Sequence, residues 1–275
     1  CSQVTIIERN DHLLGPMDRQ VALELEEDLK RKGINIYCGA AQISIAREES
    51  LVCTFRDKDQ REISQNAGTV LIATGRKPDL SGLFGEDVQM EVKDGKLTVD
   101  SNFQTSEPGV YAIGDLTAST QLAHVAAAQG TYVVEKLLNK EHSIKLEVVP
   151  NGMFVSLPIV PSCIYTTPEI ATVGITEETA NAYGMKVRVG HYSMNENGKS
   201  IIARADGGFI RLVFEAYSNT IVGAQMVCPR ATDMIGEMAT AIANGLTASQ
   251  LSQAMRAHPT YSEGIKAAID DAMRD

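Results

Sequence analysis

The alternation of apolar and polar residues predicts a strand, a loop and a helix at the start of the chain. Residues 4–8 form a β-branched run that ends in Glu8, and polar residues follow at 9–11. Apolar positions within 21–29, separated by charges, predict an amphipathic helix that ends at Gly33. Further runs with strand composition follow at 34–37, 41–46, 51–56 and 69–73. This order of elements favours an α/β sheet.

The middle of the chain contains fewer apolar residues and more turn-forming ones. Between residues 79 and 102 Gly, Asp and Lys increase, which predicts a surface segment and a domain boundary near Pro78. Residues 110–113 predict a short buried strand, which stops at Gly114 and Asp115. Residues 122–138 then have the composition of a helix with small side chains along one side.

After Pro150 the pattern changes to short strands followed by helices. Strand-like runs lie at 170–173, 187–192, 209–214 and 220–226. Helical segments follow at 231–244, 248–255 and 263–273. Strands followed by helices describe an α+β unit. The fold class is therefore predicted to be α/β plus α+β, with a partial Rossmann-like domain at 1–79, a connecting segment at 80–150 and an α+β domain at 151–275.

Composition excludes several classes of protein. Of the 275 residues, 44% are apolar and 22% charged, which is ordinary for a soluble globular chain. The net charge of −10 disfavours binding to nucleic acid or to anionic lipid. No apolar run approaches the roughly 18 residues that a membrane-spanning helix needs. We therefore expect no nucleic-acid partner and no membrane insertion.

The cysteines indicate the compartment and exclude a metal site. The five cysteines are an odd number and include no CxxC pair, which fits neither a disulfide framework nor a zinc site. A reducing, cytoplasmic location is expected. The chain also opens directly on a strand without an initiator methionine, so we expect its N-terminal part to be missing.

Three acidic or imidazole side chains are candidates for ligand binding, each with a simpler interpretation. Glu8 closes the first strand, where dinucleotide-binding folds place an acid on the ribose, or it is a solvated strand-end carboxylate. Asp115 precedes a helix and can accept from a polyol, or it is a turn residue that starts the helix. His124 lacks a second His or Cys at metal spacing, so we expect no metal.

The densest group of candidate residues lies near the C-terminus, at 257–263. A carboxylate on the turn after His258 would orient its imidazole and stabilise the imidazolium, which makes His258 and Glu263 a candidate general acid/base pair. The alternative is a capping box, because Thr260 and Glu263 have the spacing that opens a helix. Both interpretations are compatible, since one carboxylate can serve both.

Six motifs, in this order, resemble those of the flavoprotein pyridine nucleotide-disulfide oxidoreductases. They are VTIIE at 4–8, LIATGRKP at 71–78, VYAIGD at 110–115, LAH at 122–124, PEIATVG at 168–174 and HPTYSE at 258–263. The resemblance extends over essentially the whole chain and is strongest to the lipoamide branch of the family. It implies a partial NAD-binding domain at 1–79, the segment that returns to the FAD domain at 80–150, and an interface domain at 151–275 that forms a homodimer.

The resemblance also implies roles for individual residues. Glu8 resembles the acid that binds the NAD ribose, and an acid there favours NAD over NADP because it repels a 2′-phosphate. Gly75 resembles the backbone position beside the cofactor, and Asp115 the ligand of the flavin ribityl chain. The helix start at Gln121, Leu122, Ala123 and His124 resembles the one whose amides face the flavin, although relatives often have Met where Gln121 stands. His258 resembles the catalytic base and Glu263 the carboxylate that orients it.

The family reaction passes electrons from dihydrolipoamide through a redox disulfide and FAD to NAD. The family's redox pair is two cysteines four residues apart, and here no two cysteines are closer than Cys38 and Cys53. The glycine loops for FAD and NAD are also missing, so we expect the chain to contact both cofactors only partly and to be inactive alone. Expected partners are a second copy, a small dithiol or lipoyl domain, and a 2-oxo acid dehydrogenase complex.

Two other functions remain open at this point. A glutathione-reductase-like enzyme shares the motif at 258–263, although Glu8 and the LAH motif favour the lipoamide branch. A mercuric-reductase-like function is disfavoured by the presence of His258. The second class of alternative is a dimerisation module with no catalytic role.

Overall fold

The computed structural model describes residues 3–15, 17–47, 49–117, 120–143, 147–148, 155–156, 159–205 and 207–274. Contacts divide the chain into two compact units, one of Cys1–Leu71 with Pro161–Asp275 and the other of Ile72–Val160. The fold is mixed α/β, as expected. The three predicted domains at 1–79, 80–150 and 151–275 remain a prediction, because they follow family organisation rather than contacts within this chain. In the described part, no helix is long and apolar enough to cross a membrane.

Within the described residues, the first unit contains three sheets. The strands are β1 (Thr5–Ile7), β2 (Asn35–Tyr37), β3 (Ala41–Arg47), β4 (Leu51–Arg56), β5 (Glu62–Ala67), β10 (Ser162–Ile164), β11 (Ile170–Gly174), β12 (Val187–Ser193), β13 (Phe209–Glu215) and β14 (Ile221–Val227). Strands β1 and β2 are parallel, β3-β4-β5 form an antiparallel sheet, and β10-β11-β14-β13-β12 form a larger antiparallel sheet.

The helices of this unit are α1 (Arg19–Arg31), α3 (Glu177–Ala182), α4 (Gly198–Ala203), α5 (Ala231–Ala243), α6 (Ala248–Ser252) and α7 (Glu263–Ala272), with a 3₁₀ turn at Met194–Glu196. Asp18 caps α1 by accepting from the Gln20 N–H at 2.8 Å. The apolar side of α1 is buried against the large sheet, where Val21 and Leu25 form a core with Ile170, Phe209 and Val227.

Helix α7 packs closely on the edge of the large sheet. A Cβ atom on Gly190 of β12 would lie 1.8 Å from the Ala268 carbonyl oxygen of α7, so only glycine allows this approach. On the same helix, a Cβ on Gly264 would lie 2.9 Å from side-chain atoms of Ile210 and Tyr192. Helix α7 begins at Glu263, so this packing also fixes the start of the segment that contains the candidate acid/base pair.

The second unit contains two short hairpins and one long helix. The elements are β6 (Val92–Lys93), β7 (Lys96–Leu97), a 3₁₀ turn (Gly114–Leu116), α2 (Ala123–Leu137), β8 (Glu147–Val148) and β9 (Val155–Ser156). The turn at Gly114 lies against α2, because its N–H donates to the buried Gln129 Oε1 at 2.7 Å. A Cβ on Gly114 would approach the Ala126 Cβ to 2.9 Å.

Two strands predicted from the sequence are wrong. Residues 69–73 form no strand, and Leu71 and Ile72 are 86% and 71% exposed. Residues 110–113 form only an isolated bridge, between Gln104 and Tyr111. A short apolar run becomes a strand only when a neighbouring strand supplies its hydrogen bonds, and the described residues supply none for 69–73.

Candidate active site and nucleotide-binding residues

The side chains of His258 and Glu263 are in direct contact. His258 Nδ1 lies 2.8 Å from Glu263 Oε1, and the His258 side chain is 76% exposed. The His258–Pro259 peptide bond is cis. Because an ionised carboxylate only accepts hydrogen bonds, the contact places the imidazole proton on Nδ1 and leaves Nε2 as the acceptor nitrogen. Such a ring can take a proton at Nε2 while the carboxylate balances its charge.

Glu263 uses its other carboxylate oxygen to hold the turn. Its Oε2 accepts from the Thr260 backbone N–H at 2.8 Å, and Thr260 Oγ1 donates to the Ala257 carbonyl at 2.7 Å. One of the two bonds of a capping box, from the Thr260 N–H to Glu263, therefore coexists with the contact of an acid/base pair in one carboxylate, whereas the second bond of the box is not formed because the Thr260 hydroxyl bonds Ala257. Ser262, the residue before α7, makes no side-chain cap.

Hydrogen bonding keeps Glu263 ionised. The pKa of Glu263 lies below its ordinary value of 4.5, first because the Thr260 N–H stabilises the carboxylate and second because His258 Nδ1 does. The pKa of the nearby Tyr192 hydroxyl is raised, by burial first and by the charges of Glu196 and Glu263 second. Near neutral pH the carboxylate is therefore charged beside the imidazole.

In the second unit, Arg76 brings three predicted residues together. It follows Gly75, which has φ +108° and open space where a Cβ would stand. Its Nη2 lies 3.5 Å from Asp115 Oδ2 and donates to the Gln121 carbonyl at 3.0 Å. The Gly75 turn, the Asp115 turn and the approach to α2 are thus joined by one guanidinium group.

The start of α2 has no side-chain cap. Leu122 occupies the cap position, and its apolar side chain makes no capping hydrogen bond. Ala123 and His124 form the first turn and are exposed. The dipole of α2 favours an electron-rich group at this end. These residues, with the exposed carboxylate of Asp115, are of the kind that would hold a flavin and its polyol chain.

Glu8 lies at the end of β1 within a loop that it helps to shape. Its Oε1 accepts from the Asn10 backbone N–H at 2.7 Å, and its own N–H donates to the Tyr37 carbonyl at 2.9 Å. A cleft of about 380 Å³ is lined by Asn10, Asp11, His12 and Gly15. One carboxylate oxygen of Glu8 is thus engaged in the loop, and the other is the one that would accept from a ribose hydroxyl.

Three of the described cysteines, Cys38, Cys163 and Cys228, have raised thiol pKa values, which makes them poor nucleophiles and ligands. Cys38, Cys53, Cys163 and Cys228 are free thiols. Burial, with help from Glu26, raises the pKa of Cys38 to about 11, and burial raises that of Cys228 to about 12. The described part of the chain also contains no cluster of His, Cys, Asp and Glu that could hold a metal ion.

Sequence reasoning missed three residues that shape these sites. Arg76 lies inside the LIATGRKP motif at 71–78, where a positive charge directly after Gly75 could have indicated a role in the site. Gln129 and Asn197 are buried polar residues, 2% exposed each, that hold the Asp115 and His258 turns. Nothing in the sequence distinguishes them from surface amides, because their partners are 15 and 63 residues away.

Two family profiles cover most of the chain. Residues 1–130 match the pyridine nucleotide-disulphide oxidoreductase profile, and residues 160–269 match the dimerisation domain of the same enzymes. Together with the fold and the motifs, these matches define the class of protein. The chain belongs to the pyridine nucleotide-disulphide oxidoreductase family.

Within the family, the chain is similar to dihydrolipoyl dehydrogenases. It is 32% identical over 265 residues to one from Bacillus subtilis, covering 96% of this chain and 54% of the relative. It is 33% identical over 274 residues to one from Chlorobaculum tepidum, covering 99% and 56%. The crystal structure of LpdA from Mycobacterium tuberculosis matches with a TM-score of 0.82 and 28% identity, over 99% of this chain and 57% of that one.

A further likeness concerns the fold alone. The HOCl-induced flavoprotein disulfide reductase RclA from Escherichia coli superposes with a TM-score of 0.84 at 23% identity, over 98% of this chain and 59% of that one. The chain spans about half the length of the curated relatives it matches.

Proposed function

We propose that the chain is the C-terminal portion of an FAD- and NAD-dependent disulfide oxidoreductase of the dihydrolipoyl dehydrogenase type. The observation that carries the proposal is the 2.8 Å contact between His258 and Glu263. In the proposed reaction a dithiol loses two electrons and two protons and becomes a disulfide. NAD⁺ gains a hydride, and one proton is released.

In this reaction His258 acts as the base and Glu263 orients it. The dithiol substrate gives its thiol proton to His258 Nε2, which makes the thiolate that attacks the enzyme disulfide. Glu263 stabilises the imidazolium at Nδ1, and its contact with Thr260 keeps the carboxylate in place. The same imidazolium then returns the proton to the departing thiol.

The redox cysteines are not supplied by this chain. Its sequence has no cysteines four residues apart, and the described thiols with shifted pKa values are all less acidic than an ordinary cysteine. We therefore propose that the chain alone is inactive and that an upstream segment supplies the redox pair and the glycine loops.

The proposed cofactors are FAD and NAD, each partly contacted by this chain. Bound FAD would pass an electron pair between the enzyme dithiol and the nicotinamide. Asp115 would hold its polyol chain, and the amides at the start of α2 would face its ring. Gly75 and Glu8 would approach NAD, and turnover with NADP as fast as with NAD would contradict the role of Glu8.

The proposed assembly is a homodimer formed through residues 151–275. The match of residues 160–269 to a dimerisation domain supports homodimer formation. The mass of the protein by light scattering tests it. The proposed substrate is a lipoyl domain or a small dithiol, and the proposed larger assembly is a 2-oxo acid dehydrogenase complex. The proposed location is the cytoplasm, which the free thiols of the described residues support.

Replacement of the base tests the function. In the protein that contains the upstream segment, His258→Gln should lower the rate of dihydrolipoamide oxidation by roughly 10²-fold, because general base catalysis is lost. His142→Gln is a matched control, since His142 also has a glutamate neighbour, Glu135, at 4.0 Å. Turnover of His258→Gln equal to that of His142→Gln would contradict the proposal.

The second candidate function is a dimerisation module without catalysis. The absence of a close cysteine pair in the chain favours it. The two functions differ in flavin binding. If the protein that contains the upstream segment dimerises, shows no flavin absorbance and takes up no added FAD, the module is supported and the enzyme is excluded.

A further inference from the structure

The exposed ring of His258 depends on the turn beneath it for its position. The ring is 76% exposed, and the side-chain contact that orients it is with Glu263. Little packing therefore restrains the imidazole directly. The orientation of the imidazole is therefore set by the backbone of residues 257–263 and by the contacts that join this backbone to the rest of the domain.

Most hydrogen bonds of this turn are local. Thr260 donates its N–H to Glu263 Oε2 at 2.8 Å and its hydroxyl to the Ala257 carbonyl at 2.7 Å. The Thr260 and Ser262 hydroxyls also lie 3.0 Å apart. These contacts shape the turn, but they join it only to itself.

Asn197 joins the turn to another element. Its Nδ2 donates to the Thr260 carbonyl at 3.0 Å, across 63 residues of sequence. Its Oδ1 accepts from the Ser200 N–H at 3.0 Å and the Ser200 hydroxyl at 3.3 Å, which caps α4. The side chain is buried, with 2% of the residue exposed, and its two partners fix which end is oxygen and which is nitrogen.

The start of α4 also lies beside the ring itself. A Cβ on Gly198, the first residue of α4, would lie 3.8 Å from His258 Cε1. The residues around this helix start are buried, with Met194 0% and Ser200 1% exposed. The buried amide of Asn197 therefore links the start of α4 to the carbonyl of Thr260. Thr260 is also the residue whose N–H donates to Glu263.

We propose that Asn197 is a positioning residue for His258. This inference rests on the proposed function, because it assigns Asn197 to the acid/base pair of that reaction. Asparagine is needed here because its oxygen caps α4 while its nitrogen donates to the Thr260 carbonyl. Aspartate would cap α4 equally well but has no hydrogen to donate to Thr260. Serine would also cap α4, but its side chain is too short to reach Thr260. Loss of the link frees the turn and lets the ring leave its contact with Glu263.

The first measurement is of the ring itself. In protein labelled with ¹⁵N-histidine, two-bond ¹H–¹⁵N correlations report which ring nitrogen is protonated, and His258→Gln assigns the signals of His258. We expect the Nδ1–H form in the unchanged protein and a mixture of both forms in Asn197→Ser and Asn197→Asp. Thr176→Ala is the matched control, because it removes the cap of α3, and among the described residues no hydrogen bond joins α3 to the turn at 257–263.

The second measurement is turnover of dihydrolipoamide in the protein that contains the upstream segment. Asn197→Ser should lower kcat about 10-fold with KM within about 2-fold, since misplacement of a catalytic group slows chemistry more than binding. Thr176→Ala should leave kcat unchanged. Because Asn197→Asp buries a charge, Asn197→Ser remains the deciding variant if Asn197→Asp does not fold.

The outcomes separate the inference from the proposed function. If His258→Gln lowers turnover while Asn197→Ser matches the unchanged protein in kcat, the function holds and the positioning role is wrong. A fall in kcat of Asn197→Ser without a change in the protonated nitrogen of the His258 ring also overturns the positioning role, because the fall then does not arise through His258. If His258→Gln itself has no effect, the proposed function fails and the positioning role fails with it.

Discussion

Glu263 combines a structural and a chemical contact in one carboxylate. One oxygen accepts from the Thr260 N–H and the other faces His258 Nδ1, both at 2.8 Å. Because the two contacts share a group, any change to Glu263 alters both the start of α7 and the orientation of the imidazole. The pH dependence of the contacts follows from the lowered pKa of Glu263.

The first prediction concerns this pH dependence. A carboxylate whose folded pKa is below its unfolded value stabilises the fold above the unfolded pKa, and the contribution is lost as pH falls through the folded pKa. For Glu263 the loss therefore begins near 4.5 and is complete at lower pH. The urea midpoint of Glu263→Gln should lie below that of the unchanged protein at about pH 7, and the difference should shrink as pH falls below 4.5. A difference that persists in acid would show that ionisation is not the cause.

The second prediction concerns the buried thiols. The raised pKa values, about 11 for Cys38 and about 12 for Cys228, leave almost no thiolate at neutral pH. For Cys228 the neutral form is favoured in the fold, so its contribution to stability is lost only as pH rises above 9.0. Iodoacetamide at about pH 8 should leave both unmodified until denaturant is added. Peptide mass spectrometry measures this, and rapid labelling of native Cys228 would contradict it.

The sequence predicted the residues of the candidate pair better than it predicted their supports. The spacing of His258 and Glu263 places both at one helix start, which local rules describe. Asn197 bonds to Thr260 across 63 residues, and no local pattern encodes such a distance. The same holds for Gln129, whose contact with Gly114 arises only when α2 folds against the turn.

At the scale of elements, the close approach of β12 and α7 limits the residues that can stand between them. A Cβ on Gly190 would lie 1.8 Å from the Ala268 carbonyl oxygen, which is backbone and cannot rotate away. In contrast, Gly236 lies within α5, exposed, and a Cβ there meets nothing within 4 Å. The two glycines therefore form a natural pair for substitution.

The third prediction compares these glycines. Gly190→Ala should destabilise the fold by about 1–3 kcal/mol because α7 must shift. Gly236→Ala should stabilise it by about 0.5–1 kcal/mol because alanine favours the helix. Chemical denaturation of both variants measures the difference. Equal stability of the two would show that α7 does not lie as close to β12 as described.

Elements with a clear period were predicted, and those that depend on distant partners were not. The amphipathic helix at Arg19–Arg31 and the apolar strands at Phe209–Glu215 and Ile221–Val227 follow from their patterns. Residues 69–73 have an equally apolar pattern, but in the described part of the chain no neighbouring strand pairs with them through backbone hydrogen bonds. Strand β5 was missed because Glu62–Ala67 is mostly polar and is ordered by pairing with β4.

At the scale of the molecule, contacts between residues group segments that lie far apart in the sequence into one compact unit. Residues 1–71 and 161–275 form one unit, in which α1 packs on the large sheet through Val21 and Leu25. The predicted domains place these segments apart because they follow the changes of pattern near Pro78 and Pro150 and the resemblance to the family. Motifs identify ancestry, whereas contacts between distant segments arise from packing that a single sequence does not display.

Proton transfer by His258 is the central step of the proposed function, and rapid mixing tests this step most directly. In the protein that contains the proposed upstream segment and bound FAD, the proposed function requires the base for reduction of the flavin by dihydrolipoamide but not for its reduction by NADH. His258→Gln should slow the dithiol-driven bleaching of the flavin roughly 10²-fold and leave the NADH-driven bleaching unchanged. Unaltered dithiol-driven bleaching, or equal slowing of both, would contradict the account.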